Sequence, residues 1–249
     1  MKIKGLIFDF GFTLFEFKDA SVEKYLECYK VGLVKSVNKL KISNIIKNEQ
    51  DVEFIIKTFN RKRAKYFKES MKTKTEHQTT EIFKEILEML NIKNLTPKFY
   101  EELANYYHSC ELEEWYPFEK TAETLKKLKK NKEIKLAVLS NHPHHTTIEK
   151  LLIKYDLRKY FDAVVTSAEF GKRKPDPEIF HYTLKKMGLE DPKSCMICGD
   201  EYADIMGGYR AGLQTILCKR VYEFPYEKEI TGPEYILINN ISEIMDYIE

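Results

Sequence analysis

The sequence lacks the features that would place the chain in a membrane, on a nucleic acid or among disulfide-stapled scaffolds. No apolar stretch approaches the roughly 20 residues needed to span a bilayer. The 41 Lys and Arg residues nearly balance the 39 Asp and Glu residues, and the formal net charge is only +2. Such a balance does not indicate a nucleic acid or an acidic membrane surface as a partner. Five cysteines, an odd number in 249 residues, do not suggest a disulfide framework.

Internal repeats, low-complexity stretches and a signal peptide are also missing from the sequence. The first apolar run is too short for a signal peptide and stops at Asp9. Together these absences predict a cytoplasmic protein with reduced cysteines. A length of 249 residues allows a proper hydrophobic core in one large domain or two small ones.

The sequence does contain short apolar runs that alternate with helical patterns. This alternation is typical of a parallel α/β sheet. Their continuous apolar character fits strands buried on both faces. A helix start is predicted at Asp176-Pro177, with Asp as the N-cap. The predicted strands are residues 3–9, 134–140, 163–166, 194–199, 214–218 and 235–238.

The segment 20–112 differs, because it contains no convincing strand and its apolar residues recur at helical spacing. Examples of this spacing are Phe54, Ile55, Phe59, Ala64 and Phe67. We predict a helical domain at residues 18–114, inserted into a core formed by residues 1–17 and 115–249. Residues 221–233 have the composition of an irregular connection. The predicted helices are residues 20–38, 49–70, 77–91 and 97–112.

Three of the predicted strands end in polar residues that suit catalysis. The first ends in Asp9, the second in Ser140-Asn141, and the third in Gly199-Asp200, with Asp204 following. Chemistry in an open parallel sheet takes place outside the carboxyl ends of the strands. We therefore expect these side chains to share one edge of the sheet.

A rigid basic loop with Lys172 and Lys174 lies between the second and third of these strands. The order Asp9, Ser140, Lys174 and Asp200-x-x-x-Asp204 resembles the four signature motifs of the haloacid dehalogenase superfamily. The resemblance covers residues 1–17 and 115–220. It implies a Rossmann-like parallel sheet with helices on both faces, and a mobile helical cap inserted after the first strand.

The resemblance also implies roles for these residues. Asp9 would be the nucleophile that forms an aspartyl phosphate. Ser140 would donate a hydrogen bond to the phosphoryl group, and the Asn141 backbone would add a donor. Lys174, rather than Lys172, would pair with the carboxylate and the phosphate. Mg²⁺ would be held by Asp9, the backbone carbonyl of Gly11, Asp200 and Asp204, the last directly or through water.

Gly11 departs from the family pattern, in which phosphatases usually carry a second Asp two residues after the nucleophile. That Asp protonates the leaving group and later activates water, which is worth roughly 10²–10⁴-fold in rate. His142 is a candidate substitute because it follows Ser140-Asn141 and histidine titrates near neutrality. The alternative interpretation is that His142, His144 and His145 form a polar loop that opens a helix.

Other interpretations compete with a phosphatase. Dehalogenases and phosphonatases of the family also lack the second Asp, but dehalogenation needs no Mg²⁺, and no single cap lysine stands out as a Schiff base. Gly11 also fits a binding or regulatory protein on this fold.

The pair Cys195-x-x-Cys198 fits core packing better than a zinc or redox site, because successive residues of a strand alternate faces. The basic run 61–65 is interpreted as a solvated helix face that could instead steer an anionic substrate.

The sequence therefore predicts a Mg²⁺-dependent phosphohydrolase. Its substrate would be a small phosphate ester or acyl phosphate, with neither nucleic acid nor membrane as a partner. The oligomeric state cannot be inferred from these patterns.

Overall fold

The computed structural model describes residues 2–220, 222 and 228–248. Its strands, numbered in chain order, are β1 (Gly5–Phe8), β2 (Phe15–Phe17), β3 (Trp115–Pro117), β4 (Lys135–Ser140), β5 (Ala163–Thr166), β6 (Cys195–Gly199), β7 (Gln214–Cys218) and β8 (Ile236–Ile238). Its helices are α1 (Val22–Ile42), α2 (Glu49–Thr73), α3 (Thr79–Met89), α4 (Pro97–Tyr107), α5 (Glu111–Glu114), α6 (Thr121–Leu128), α7 (His145–Lys154), α8 (Ser167–Phe170), α9 (Pro177–Met187) and α10 (Tyr202–Arg210). Short 3-10 helices cover Arg158–Tyr160, Pro192–Ser194 and Ile241–Tyr247.

Six strands form one parallel sheet in the order β5-β4-β1-β6-β7-β8. Each of them lies within a segment predicted as a strand, and each is at most a few residues shorter than predicted. The central strands β4, β1 and β6 are almost entirely buried, which explains their continuous apolar sequence. The predicted parallel α/β architecture is confirmed.

Helix α9 shows how the sequence sets an element against this sheet. Asp176 caps the helix by accepting a 2.9 Å hydrogen bond from the Glu178 N–H, and Pro177 takes the first helical position. Ile179 and Phe180 are fully buried in the core cluster under the sheet. Each such side chain contributes about 1.5–3 kcal/mol on burial, and α9 thereby holds the loop before it in place.

The chain divides into two compact units, Met1–Lys18 with Trp115–Glu249 and Asp19–Glu114. The first unit contains the sheet. It also contains an antiparallel ribbon in which Phe17 pairs with Trp115, at the points where the chain leaves and re-enters the unit. This ribbon was not predicted, because strands of three residues carry almost no periodicity. The roles of catalytic core for 1–17 and 115–249 and of cap for 18–114 stay a prediction.

The second unit is helical and has its own core. Helices α1 and α4 approach closely: a Cβ on Gly32 would overlap the Tyr107 carbonyl, and the Ser36 hydroxyl donates a 2.9 Å hydrogen bond to the Leu103 carbonyl. The predicted apolar pattern of α2 places Ile55 and Phe59 in the core. It fails at Ala64 and Phe67, which are exposed, because the buried face of α2 continues instead through Tyr66 and Ser70.

The structure also corrects the expectation that the cysteines are reduced. Cys28 on α1 and Cys110 before α5 form a disulfide, with a Cα–Cα distance of 5.5 Å. Their separation of 82 residues in the sequence conceals this proximity. The two cysteines of Cys195-x-x-Cys198 are free and buried in β6, as predicted for core packing.

Helix α4 ends at Tyr107, earlier than the predicted end at residue 112. The predicted irregular connection over 221–233 lies partly outside the described residues, which omit 221 and 223–227. Across the described part of the chain, no helix combines the length and the apolar composition that crossing a bilayer requires.

Candidate active site

The ends of three neighbouring strands bring together the polar residues singled out in the sequence. Asp9 directly follows β1, Ser140 ends β4 and Asp200 directly follows β6. The sheet places β1 between the other two strands, with Phe8 level with Val138 on β4 and with Cys198 on β6. All three side chains are largely buried. The carboxyl edge of the sheet is therefore an acidic, sheltered site.

Lys174 enters this site from the loop between α8 and α9. Its ammonium group is 1% exposed and forms an ion pair with Asp9 and a 2.6 Å ion pair with Asp204. Burial alone would lower the pKa of Lys174, but the carboxylates of Asp204 and Asp9 outweigh it and raise that pKa above its ordinary value. Lys174 is therefore a fixed cation between two carboxylates.

Lys172, the less favoured candidate, lies elsewhere. It is 40% exposed and pairs with Glu178 at 2.7 Å. The structure thus brings Lys174, and not Lys172, to Asp9.

Asn141 makes a contact that the sequence did not reveal. Its side-chain oxygen accepts a 2.8 Å hydrogen bond from the Lys174 N–H, and its side-chain nitrogen donates a 3.1 Å bond to the Lys174 carbonyl. This pair of bonds fixes the loop that carries the lysine. The predicted donor role of the Asn141 backbone toward a phosphoryl group stays a prediction.

The carboxylates of Asp9, Asp200 and Asp204 form a buried cluster, each offering an oxygen within 4.8 Å of the others. Gly199 allows this arrangement, because any Cβ there would overlap the Asp204 side chain. Burial is the main cause that raises the pKa of Asp9 to about 7, since it exceeds the opposing effect of Lys174. Burial, with the charges of Asp9 and Asp204, also raises the pKa of Asp200 well above its usual range. Ionising all three carboxylates in this buried cluster is therefore costly.

Both oxygens of Asp200 are engaged by other side chains. The Thr13 hydroxyl donates to one oxygen at 3.3 Å, and the Arg220 guanidinium forms an ion pair with the other. Arg220 was not among the predicted site residues. Its position two residues beyond β7 carries no local pattern that would have revealed it.

Gly11 lies beside Trp115, which occupies the space a side chain would need. A Cβ at position 11 would be 2.9 Å from the Trp115 ring. The Trp115 ring is itself held by the rings of Phe10 and Phe17, with centroids 5.6 Å and 5.2 Å away. A side chain at position 11 would therefore require the Trp115 ring to shift.

His142 is buried in the loop that follows β4. Its Nδ1 lies 2.8 Å from the His144 carbonyl oxygen and accepts a 3.1 Å hydrogen bond from the His144 N–H. Helix α7 begins at His145, three residues further on. This placement fits the polar loop that opens a helix, and substrate binding or acid–base catalysis by His142 stays a prediction.

The donor chemistry of the carboxylate cluster fits a divalent cation. Asp9, Asp200 and Asp204 supply the hard oxygen ligands that Mg²⁺ prefers. Burial and repulsion between the carboxylates raise the pKa values of Asp9 and Asp200, and a bound cation would favour their ionised forms. A ligand role for the Gly11 carbonyl stays a prediction.

Comparison with known proteins identifies a family model and relatives that match all or part of the chain. A family model described as haloacid dehalogenase-like hydrolase matches residues 6–218. The phosphoglycolate phosphatase of Aquifex aeolicus is 38% identical over 129 residues, which are 50% of this chain and 59% of that protein. The glyceraldehyde 3-phosphate phosphatase of Methanocaldococcus jannaschii is 27% identical over 249 residues, 99% of this chain and 97% of that protein. The match thus spans less than two thirds of the first relative and nearly all of the second.

A solved structure shows the same fold. The 2-haloacid dehalogenase from Pseudomonas syringae pv. Tomato gives a TM-score of 0.61 at 19% identity, covering 98% of this chain and 97% of that chain. At this identity the likeness concerns the fold and leaves the chemistry open.

Proposed function

Because the chain belongs to the haloacid dehalogenase-like hydrolases, we propose that it is a Mg²⁺-dependent phosphohydrolase for small phosphorylated metabolites. The observation that carries this proposal is the buried ion pair of Lys174 with Asp9 and Asp204, beside Asp200. A buried lysine between carboxylates at the carboxyl edge of the sheet can bind a phosphoryl group and orient the nucleophile at the same time. The two phosphatase relatives support a phosphate ester as the substrate.

Each residue has a proposed part in the reaction. Asp9 attacks the phosphorus atom while the P–O bond to the leaving group breaks, and water then hydrolyses the aspartyl phosphate, releasing inorganic phosphate and restoring the Asp9 carboxylate. Lys174 holds the attacking carboxylate and stabilises the charge on the phosphoryl oxygens. The Ser140 hydroxyl and the Asn141 N–H donate hydrogen bonds to the same oxygens.

Asp9, Asp200, Asp204 and the Gly11 carbonyl would hold Mg²⁺. When bound, this ion neutralises the charge on the phosphoryl group and offsets its repulsion from the carboxylate. Asp204 is fully buried and pairs with Lys174. It would therefore contact both the lysine and the bound cation.

Gly11 limits the substrates. Without a carboxyl group at this position the leaving group receives no proton from it, and proton transfer is worth roughly 10²–10⁴-fold. We propose that acyl and aryl phosphates, whose leaving groups depart as stable anions, react faster than the alkyl phosphates named for the two relatives. His142 remains the candidate for a substitute acid and base.

Two other functions rest on Gly11. Because position 11 has no side chain and the Trp115 ring lies beside it, a binding or regulatory protein with little turnover is the main alternative. A phosphonatase or a haloacid dehalogenase is the second. A phosphonatase would show a lysine that borohydride traps on substrate, and a dehalogenase would release halide without metal.

A rapid-mix time course with an aryl phosphate and Mg²⁺ tests the proposal. We expect metal-dependent turnover, or a stoichiometric burst, that is lost in Asp9→Asn. Lys174→Met should lower the rate at least about a hundredfold, in the range of a lost electrostatic contact in a catalytic site. Lys172→Met, which removes an exposed lysine from the same loop, should leave the rate unchanged.

Release of the aryl alcohol at the same rate in wild type and Asp9→Asn would contradict the proposal. The binding function would then be tested by equilibrium titration with phosphorylated metabolites. For His142, unchanged turnover in His142→Ala would remove it from the catalytic residues.

A further inference from the structure

Arg220 forms a buried ion pair with Asp200 that neither the sequence motifs nor the proposed mechanism uses. The two side chains are 7% and 4% exposed. Arg220 follows the end of β7, and the backbone there is fixed by a 2.8 Å hydrogen bond from the Lys219 N–H to the Ile238 carbonyl. The guanidinium is thus carried to Asp200 by the end of β7, beside the edge strand β8, and not by the loops that carry Asp9 or Lys174.

The ion pair matters because Asp200 belongs to the carboxylate cluster. One oxygen of Asp200 accepts from Thr13 and the other from Arg220, so that both are engaged. A cation bound at the cluster requires at least one Asp200 oxygen and meets the full charge of a guanidinium, which cannot lose its proton. Arg220 therefore competes with a cation for the same carboxylate.

We propose that Arg220 is a positioning residue that pairs with Asp200 and thereby weakens divalent-cation binding at the Asp9–Asp200–Asp204 cluster. The inference rests on the proposed function, since it concerns the metal site named there. Arg220 offsets part of the cost of burying the Asp200 carboxylate. The cation binds only by displacing or sharing this contact.

The size of the effect follows from Coulomb's law in a partly dehydrated site. A unit charge a few ångströms from a divalent ion, at the intermediate effective dielectric of protein interiors, changes its affinity by at least about tenfold. Neutralising Arg220 should therefore tighten metal binding. Replacing it by lysine keeps the charge, and should keep the affinity near that of the wild type.

Isothermal titration of EDTA-stripped protein with Mg²⁺, and Mn²⁺ titration followed by electron paramagnetic resonance, tests this proposal without measuring activity. In Arg220→Gln we expect the dissociation constant to fall at least about tenfold, and in Arg220→Lys to stay within about threefold of wild type. Lys219→Gln is the matched control, because it removes one positive charge from the adjacent exposed residue. It should leave the dissociation constant unchanged.

A second measurement covers the case in which Arg220→Gln folds poorly without metal. Circular dichroism during a Mn²⁺ titration would then show the variant refolding at metal concentrations below the wild-type dissociation constant. Melting curves should show a larger Mg²⁺-induced rise in Tm for Arg220→Gln than for wild type, since stabilisation grows as the dissociation constant falls.

Equal or weaker metal binding in Arg220→Gln, with binding still lost in Asp200→Asn, would overturn this inference and leave the proposed metal site intact. Absence of Mn²⁺ binding in wild type, Arg220→Gln and Arg220→Lys alike would overturn the inference together with the metal site. The two failures are therefore distinguishable.

Discussion

At the scale of single residues, the site is shaped by a glycine as much as by its charged groups. Gly11 has no side chain where the family resemblance implies a second Asp, and Trp115 lies in the space that a side chain would need. The ring is buried against Phe10 and Phe17, so it cannot swing away without disturbing the β2–β3 ribbon. Restoring the acid therefore requires two changes and not one.

We predict that Gly11→Asp alone brings no gain in the hydrolysis of an alkyl phosphate and destabilises the fold by about 1–3 kcal/mol, because overpacking forces neighbours to shift. Gly11→Asp combined with Trp115→Leu should raise the alkyl-phosphate rate at least about tenfold, within the range of general acid–base catalysis. Steady-state kinetics and urea denaturation measure the two effects. Trp115→Leu alone is the control. Equal acceleration in the single and double variants would show that the indole does not restrict position 11.

At the scale of elements, the contact between α1 and α4 depends on small residues. Gly32 lets the two helices approach until its Cα faces the Tyr107 carbonyl, and Ser36 one turn later bonds to the Leu103 carbonyl. Helix propensity disfavours glycine at position 32, since glycine costs about 1 kcal/mol relative to alanine in a helix interior. Close packing between the helices outweighs the propensity.

Gly32→Ala is therefore expected to destabilise the helical unit, by about 1–3 kcal/mol, despite the better helix propensity of alanine. Asn38→Ala, at an exposed position of the same helix, should be neutral or slightly stabilising. The free energy of unfolding from urea denaturation, monitored by circular dichroism, measures both variants. A stability gain in Gly32→Ala would mean that the helices separate to accommodate the methyl group at little cost.

At the scale of the whole molecule, the carboxylate cluster makes stability depend on pH. The pKa of Asp9 is raised from 3.8 to about 7, chiefly by burial. Burial also raises the pKa values of Asp200 and Glu201. Between the unfolded and folded pKa values the folded state binds more protons than the unfolded state, so the free energy of unfolding decreases as pH rises.

For the metal-free protein we predict a loss of stability between about pH 4 and pH 7, which flattens in Asp9→Asn because the asparagine does not titrate. Urea denaturation in EDTA across this range is the measurement.

Asp162→Asn is an informative control. Burial would raise the pKa of Asp162, but Lys129, the Leu136 N–H and Lys135 outweigh it and lower the pKa. Asp162→Asn should therefore remove a contribution to the free energy of unfolding that the wild type has above about pH 4. This contribution grows with rising pH, whereas that of Asp9 shrinks. A pH dependence that Asp9→Asn leaves unaltered would show that Asp9 is ionised in the folded protein throughout this range.

The sequence by itself determined the parallel sheet and the placement of Asp9, Ser140 and Asp200 at its carboxyl edge. Apolar runs and the residues that end them are local patterns, and parallel strands bring those ends together whatever the loops do. It also located the start of α9 through Asp176-Pro177, because capping is local.

The tertiary structure alone decided which side chains meet across the chain. Arg220 reaches Asp200, Asn141 holds Lys174, Trp115 fills the space beside Gly11, and Cys28 bonds to Cys110. These partners are separated by between 20 and 104 residues of sequence, and no periodicity or cap relates them. Their proximity results from how the strands, loops and helices pack, which is a property of the whole core and not of any one segment.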